Sequence, residues 1–303
     1  MNSPVVKHIH SVPVSKIGVV GDLTMINSTD SVEKAINVLG KKILSVPVMD
    51  KKSKQCLGLL DMIDIANFLN KVAPDVSLDA DMLQSLEISG RAIALETVDN
   101  VLNASGRDPF VPAFEDSTGG ILLDLFSKNI QRVPLADREG NLIGSVSQSD
   151  FIKYLSVHIV EGDMKTFANK TIAELGLTPK PVICATNCNT VLTAISLIVD
   201  NGISGVGVVD CDGKLVGNFS ARDCVGIYRD QLPSFLKPVG EFLESHSPKS
   251  LKPITCSPNA TISQVLNTLV ESNVHHIYVV EDSKPISIVS TTDIMKCIRD
   301  YVE

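Results

Sequence analysis

The residues best placed to do chemistry recur as a short step, in which a hydroxyl or carboxylate stands three positions before an aspartate and directly ahead of an apolar run. Ser147-Gln148-Ser149-Asp150 precedes FIKYL, Ser220-Ala221-Arg222-Asp223 precedes CVGIY, Ser290-Thr291-Thr292-Asp293 precedes IMKCI, and Asp61-Met62-Ile63-Asp64 precedes IANFL. A helix starting there offers outward N–H groups and a favourable potential to a phosphate. A carboxylate in the same turn can accept hydrogen bonds from the vicinal hydroxyls of a ribose. The same pattern is also a capping box, in which both side chains satisfy free N–H groups of the first turn. Capping accounts for any one step; four copies imply four copies of a fold unit.

The elements around each step repeat in one order. An amphipathic helix comes first, with apolar residues at helical spacing, as Val191, Ala194, Ile195 and Ile198 show in the third copy. A short strand follows: Val46-Pro47-Val48, Val133-Pro134-Leu135, Val206-Gly207-Val208 or Ile277-Tyr278-Val279. Turn residues such as Asp137 to Asn141 and Asp210 to Lys214 lead into a second strand, and the step then opens a second helix. Pro47 and Pro134 suggest an edge position or a strand end, where no ladder N–H is needed. The strand centre lies 17, 16, 16 and 15 residues before the closing Asp, a drift of the size that hairpin turns produce. Successive closing Asp residues lie 86, 73 and 70 apart, so the first gap holds extra material, expected as a helical insert over about 74–106 with a turn at Asn103-Ala104-Ser105-Gly106. The polar stretch 161–170, EGDMKTFANK, reads as a domain boundary.

Composition narrows the function classes. A formal charge of -8 argues against a sequence-independent nucleic-acid surface. No apolar run reaches the roughly 18 to 20 residues of a membrane span, and the start MNSPVVKHIH lacks a signal-peptide core. A cytoplasmic protein is expected, with the nucleus as a second compartment. Seven Cys residues without Cys-x-x-Cys spacing read as buried or half-buried thiols rather than a disulfide framework or zinc site. No Gly-x-Gly-x-x-Gly, Walker loop, Gly-x-Ser-x-Gly or His-Glu-x-x-His is present, so no enzyme is expected.

In its fourfold order of helix, strand, strand and helix, each closed by the Ser-x-x-Asp step, the chain resembles proteins of four tandem CBS domains, and among these the nucleotide-sensing gamma subunits of AMP-activated protein kinase. The resemblance implies an α+β fold of two Bateman modules. The first is 1–160, with units at about 14–72 and 107–160; the second is 165–303, with units at about 178–231 and 248–303. It also implies that the closing Asp contacts ribose while neighbouring Ser or Thr residues hold phosphate. By position, the candidates are Asp64, Asp150, Asp223 and Asp293, with Ser147, Ser149, Ser220, Ser290 and Thr292.

Phosphate also needs cations, and the resembled proteins carry a His-Arg pair at the first strand's entry. Arg132 fits that place in the second unit, its guanidinium offering two donors to a phosphate. The fourth unit offers His275 and His276, where His276 replaces the usual Arg and makes charge depend on pH near neutrality; the alternative is a partly buried strand entry with neutral rings. The third unit has Arg222 within its step, and Gly205 and Gly207 at its entry allow either close backbone approach or tight packing. The first departs most. Leu44-Ser45 supplies no cation, and Asp61 adds a negative charge where phosphate would sit. Lys41 and Lys42 read as a solvated last helical turn.

The expectation is a noncatalytic sensor that binds AMP, ADP or ATP as regulatory ligand, with no required cofactor or metal. Its implied partners are protein kinase catalytic and scaffold subunits, with a homodimer as another assembly, and neither nucleic acid nor membrane. A scaffold with degenerate ligand sites is the alternative, favoured by the departures at Asp61, Leu44 and His276.

Overall fold

The computed structural model describes residues 9–21, 23–39, 43, 45–72, 95–104, 110–159, 164–225 and 229–302. A two-residue strand, β1 (Val19–Val20), precedes the first repeat, which contains β2 (Ile26–Asn27), α1 (Val32–Leu39), β3 (Ser45–Met49), β4 (Cys56–Asp61) and α2 (Met62–Val72). A short helix, α3 (Val98–Val101), leads to the second repeat: β5 (Ala113–Phe114), α4 (Gly119–Ser127), β6 (Arg132–Ala136), β7 (Leu142–Ser147) and α5 (Gln148–His158). After α6 (Met164–Ala168) comes the third, with β8 (Cys184–Thr186), α7 (Val191–Asp200), β9 (Gly205–Val209) and β10 (Leu215–Ser220). Helix α8 (Val239–His246) precedes the fourth, with β11 (Thr255–Cys256), α9 (Ile262–Ser272), β12 (His276–Glu281), β13 (Lys284–Ser290) and α10 (Thr291–Val302).

Each repeat forms a small sheet in which the leading strand runs parallel to the first hairpin strand, and the hairpin pair is antiparallel. The hairpin's first strand is therefore central in every sheet, which corrects the edge position expected for Pro47 and Pro134. Repeats 3 and 4 explain why proline is tolerated there. At the equivalent positions Gly207 and Tyr278 donate N–H to Ile183 and Ile254, residues just before the leading strand begins. The prolines thus forfeit one bond at the frayed end of a short parallel pairing.

The repeats segregate into two compact units, and each unit holds alternate repeats. One comprises 24–109 and 183–253, with repeats 1 and 3; the other comprises 1–23, 110–182 and 254–303, with repeats 2 and 4. In the first unit Val46, Leu60 and Ile65 share a core with Ala194, Ile198, Val206 and Phe242. In the second, Phe126, Phe151 and Leu155 share one with Leu266, Leu269, Ile294 and Ile298. The expected modules, 1–160 and 165–303, join consecutive repeats instead. Grouping follows the helices: α2 packs on α7 in one unit, and α5 packs on α9 and α4 on α10 in the other.

Inside each unit, the segment that precedes one repeat pairs with a repeat next to that one in the chain. Pro13, ahead of repeat 1, bridges Thr118 of repeat 2; Thr97, ahead of repeat 2, bridges Ser31 of repeat 1. Thr171 likewise bridges Thr261, and Pro238 bridges Thr190. Residues 14–20, expected to open the first unit, accordingly extend the second repeat's sheet through the β1 to β7 pairing. The insert contributes α3, whose Val98 and Val101 are fully buried in the first unit's core. Asn103 takes the expected turn with φ 57°; residues 73–94 and 105–109 lie outside the described residues.

One expectation fails locally, and one polar stretch carries more structure than its composition suggests. The stretch 161–170 contains α6, whose Met164, Phe167 and Ala168 recur at helical spacing and are buried. The third step opens not an α-helix but a 3-10 turn, Ala221–Cys224, followed beyond residues 226–228 by a 3-10 run, Arg229–Leu236. Val225 is extended (φ −67°, ψ 132°) and Gly226 follows it, a residue costing about 1 kcal/mol in a helix interior relative to Ala. Among the described residues, no helix is long and apolar enough to cross a membrane.

Candidate functional site

Hairpin register places every strand-entry residue opposite the residue that starts the step. The antiparallel partners are Ser45 and Asp61, Arg132 and Ser147, Gly205 and Ser220, and His276 and Ser290. Two features read separately from the sequence are therefore neighbours across one rung.

The step caps in all four copies. Oδ2 of Asp64, Asp150, Asp223 and Asp293 accepts the backbone N–H of Asp61, Ser147, Ser220 and Ser290 at 3.2, 2.8, 2.8 and 2.9 Å. The same oxygen accepts the hydroxyl of Ser147 at 2.6 Å, of Ser220 at 3.0 Å, and of Ser290. Asp61 replaces the hydroxyl with its own Oδ1, which accepts N–H from Ile63 at 2.7 Å and Asp64 at 2.9 Å. Its carboxylate is thereby occupied in capping.

The copies differ at the other oxygen. Oδ1 of Asp150 accepts no hydrogen bond and forms no ion pair with any described residue, although the side chain is only half-buried. Oδ1 of Asp223 accepts the hydroxyl of Ser250 at 2.6 Å, and the residue is only 6% exposed. Oδ1 of Asp293 lies 3.2 Å from Lys180 Nζ. Asp64 is 3% exposed.

The cations also differ. Half-buried Arg132 opens β6, with Nη1 3.4 Å from Ser145 Oγ on β7. Arg222 is exposed on the 3-10 turn. At the third entry, a Cβ on Gly205 would lie 3.0 Å from Phe219 O and 3.2 Å from Ser220 Cβ, so glycine there serves tight packing. His275 Nε2 stands 3.4 Å from Ser149 Oγ, which joins the second step to the fourth entry inside one unit. Lys41, Lys42 and Leu44 lie outside the described residues.

His276 sits edge-on to Tyr278 with ring centroids 5.3 Å apart, and burial pushes its pKa down to about 4. That shift favours a neutral ring near pH 7, the form that the neutral strand-entry alternative requires. The folded protein resists a proton that the unfolded chain accepts. Its contribution to stability is therefore full above the ordinary value near 6.5 and lost as pH falls toward about 4. At about pH 5 the loss amounts to ~2 kcal/mol. Urea midpoints should thus fall less between about pH 7 and about pH 5 in a His276→Asn variant than in the parent; equal drops contradict the assignment.

Sequence reading missed three residues. Gln148 hides at a variable position of the step yet is fully buried, its Nε2 2.9 Å from Ile130 O and 3.0 Å from Thr292 Oγ1, its Oε1 accepting from Thr291 Oγ1. Thr292, expected beside phosphate, is 7% exposed, and its hydroxyl donates to Asn129 Oδ1 at 3.2 Å. That side chain belongs to the core network. Lys180 and Ser250 stand 113 and 27 residues from the carboxylates they meet, and no local pattern marks them. Among the described residues no group of three metal ligands assembles, and Cys188 and Cys211 are exposed rather than buried.

The CBS domain family matches the chain at residues 6–71, 106–157, 172–230 and 247–300. The 5'-AMP-activated protein kinase subunit gamma of Kluyveromyces lactis is 26% identical over 287 residues, covering 91% of this chain and 85% of its own length. The corresponding subunit of Saccharomyces cerevisiae is 25% identical over 289 residues, covering 91% and 86%. In fold, the chain resembles a Methanocaldococcus jannaschii protein described as a candidate archaeal homologue of the kinase gamma subunit, with TM-score 0.74 over 95% of this chain and 100% of that one at 19% identity. Four matched segments, each with its own three-stranded core and closing step, place this chain in the CBS domain family.

Proposed function

We propose that this chain is a noncatalytic regulatory protein that binds AMP, ADP or ATP at its Ser-x-x-Asp steps and transmits occupancy to a protein kinase complex. The observation that carries this reading is the second repeat, where Asp150 keeps an oxygen uncommitted among the described residues for a ribose hydroxyl and Arg132 stands across the rung from Ser147 to meet phosphate. The relatives named as kinase gamma subunits support both the ligand class and the partner. In this reading the consecutive modules 1–160 and 165–303 are the functional pairs. Occupancy biases the complex only through different affinities for its states.

Titration calorimetry with AMP, ADP, ATP and S-adenosylmethionine tests the reading. Asp150→Asn keeps the size of the side chain, removes its charge, and should weaken the tightest site about 10- to 100-fold, as expected for a lost charge-assisted bond. Absence of binding to all four compounds leaves the steps as helix caps and the protein as a scaffold.

A further inference from the structure

The three hydroxyl-capped steps are the same device in different states of internal occupation. Each Asp spends Oδ2 on its own cap, leaving Oδ1 as the oxygen available to an incoming diol. In the second repeat that oxygen has no partner among the described residues. In the fourth it faces Lys180, which reaches back from the segment before repeat 3. This segment is held in place, since Lys180 N–H donates to Ile286 O at 3.0 Å and Ser287 Oγ donates to Leu177 O at 2.7 Å. In the third repeat the oxygen is covered by Ser250, on the 3-10 turn Pro248–Leu251 that packs over β10. From these differences we infer that Lys180 and Ser250 are built-in counter-ligands of Asp293 and Asp223, so the second repeat accepts ligand directly while the fourth and third accept it only by displacing a residue of the chain.

This inference rests on the proposed role of the closing Asp as a ribose acceptor. The two counter-ligands differ in strength. Lys180 is 52% exposed, so its pair with Asp293 is screened by water, whereas Ser250 meets a carboxylate that is only 6% exposed. Filling should therefore run from the second repeat to the fourth to the third. Lys180 and Ser250 set that order without being part of any cap.

The test is titration of the full chain with AMP and ATP, comparing the parent with Lys180→Met, Ser250→Ala and Asp150→Asn. Lys180→Met should tighten one site about two- to fivefold, an increase that disappears in a Lys180→Met, Asp293→Asn double variant. Ser250→Ala should tighten a different site about tenfold. Should Ser250→Ala loosen the fold, Ser250→Cys, whose thiol is a weaker donor, should give a smaller gain at the same site. Neither substitution should alter the site removed by Asp150→Asn. Weaker binding in Lys180→Met makes Lys180 a ligand contact and overturns its counter-ligand role. Unchanged affinity in Lys180→Met and in both Ser250 variants, with the Asp150→Asn loss intact, overturns the inference while the ribose reading stands; no effect of Asp150→Asn overturns both.

Discussion

Expressed separately, residues 1–160 and 165–303 should each fail to give a cooperatively folded protein, and co-expression should restore one. The cut falls between consecutive repeats, whereas each hydrophobic core is shared by alternate ones. The fragment 1–160 would present Leu60 and Ile65 without Ile198 and Phe242, and Phe126, Phe151 and Leu155 without Leu269 and Ile298. Returning a fully buried Leu, Ile or Phe to water costs about 1.5–3 kcal/mol. A handful of such side chains is therefore comparable to the roughly 5–15 kcal/mol that holds a whole domain. Near-ultraviolet circular dichroism and thermal melts of each fragment, alone and mixed during synthesis, decide the matter. A sharp melt from either fragment alone would remove the argument that alternate repeats form the cooperative units.

Gln148→Ala should be among the most damaging single substitutions in the unit of repeats 2 and 4. The side chain is fully buried and links the two repeats through Thr291 and Thr292, while also donating to Ile130 O. Truncation opens a cavity, deprives the Thr291 hydroxyl of its acceptor, and leaves the Ile130 carbonyl without this donor. The expected loss is ~3 kcal/mol, the combined scale of a cavity and a broken buried network. Gln148→Leu fills the space but not the hydrogen bonds and should fall between parent and Ala. A double-mutant cycle with Thr292→Val should return a coupling of about 1 kcal/mol. Unfolding midpoints in urea measure all of these; a Gln148→Ala loss below about 0.5 kcal/mol, the usual scale of an innocuous surface change, contradicts the network's role.

What the sequence made legible was local and repeated. Helical spacing at Val191, Ala194, Ile195 and Ile198 identified a helix whose four apolar positions are all buried. The constant interval from strand centre to closing Asp reflected a hairpin register that is the same at Arg132, Gly205 and His276. Interactions between residues far apart in the chain were not legible. No periodicity brings Lys180 to Asp293 or Ser250 to Asp223, because neither belongs to the repeating elements. Nor does spacing distinguish consecutive from alternate grouping, since every repeat carries the same apolar face. For Pro47 the edge alternative fails, because the rule about prolines in sheets concerns the missing N–H, and here that position lies just outside the pairing with a two-residue partner strand.

The leading segments also govern when the molecule can close during its synthesis. Val14 and the strand Val19–Val20 are made well before their partners Ser117 and Ser145, which follow 103 and 126 residues later, and the core they cover is completed only by Ile294 and Ile298. At a typical elongation rate of about 5–20 residues per second, the earliest apolar residues wait roughly 15 to 60 seconds for the last to arrive. This unit therefore cannot seal before residues 294–298 have been made, and the preceding interval is when it is most open to aggregation and to chaperone capture.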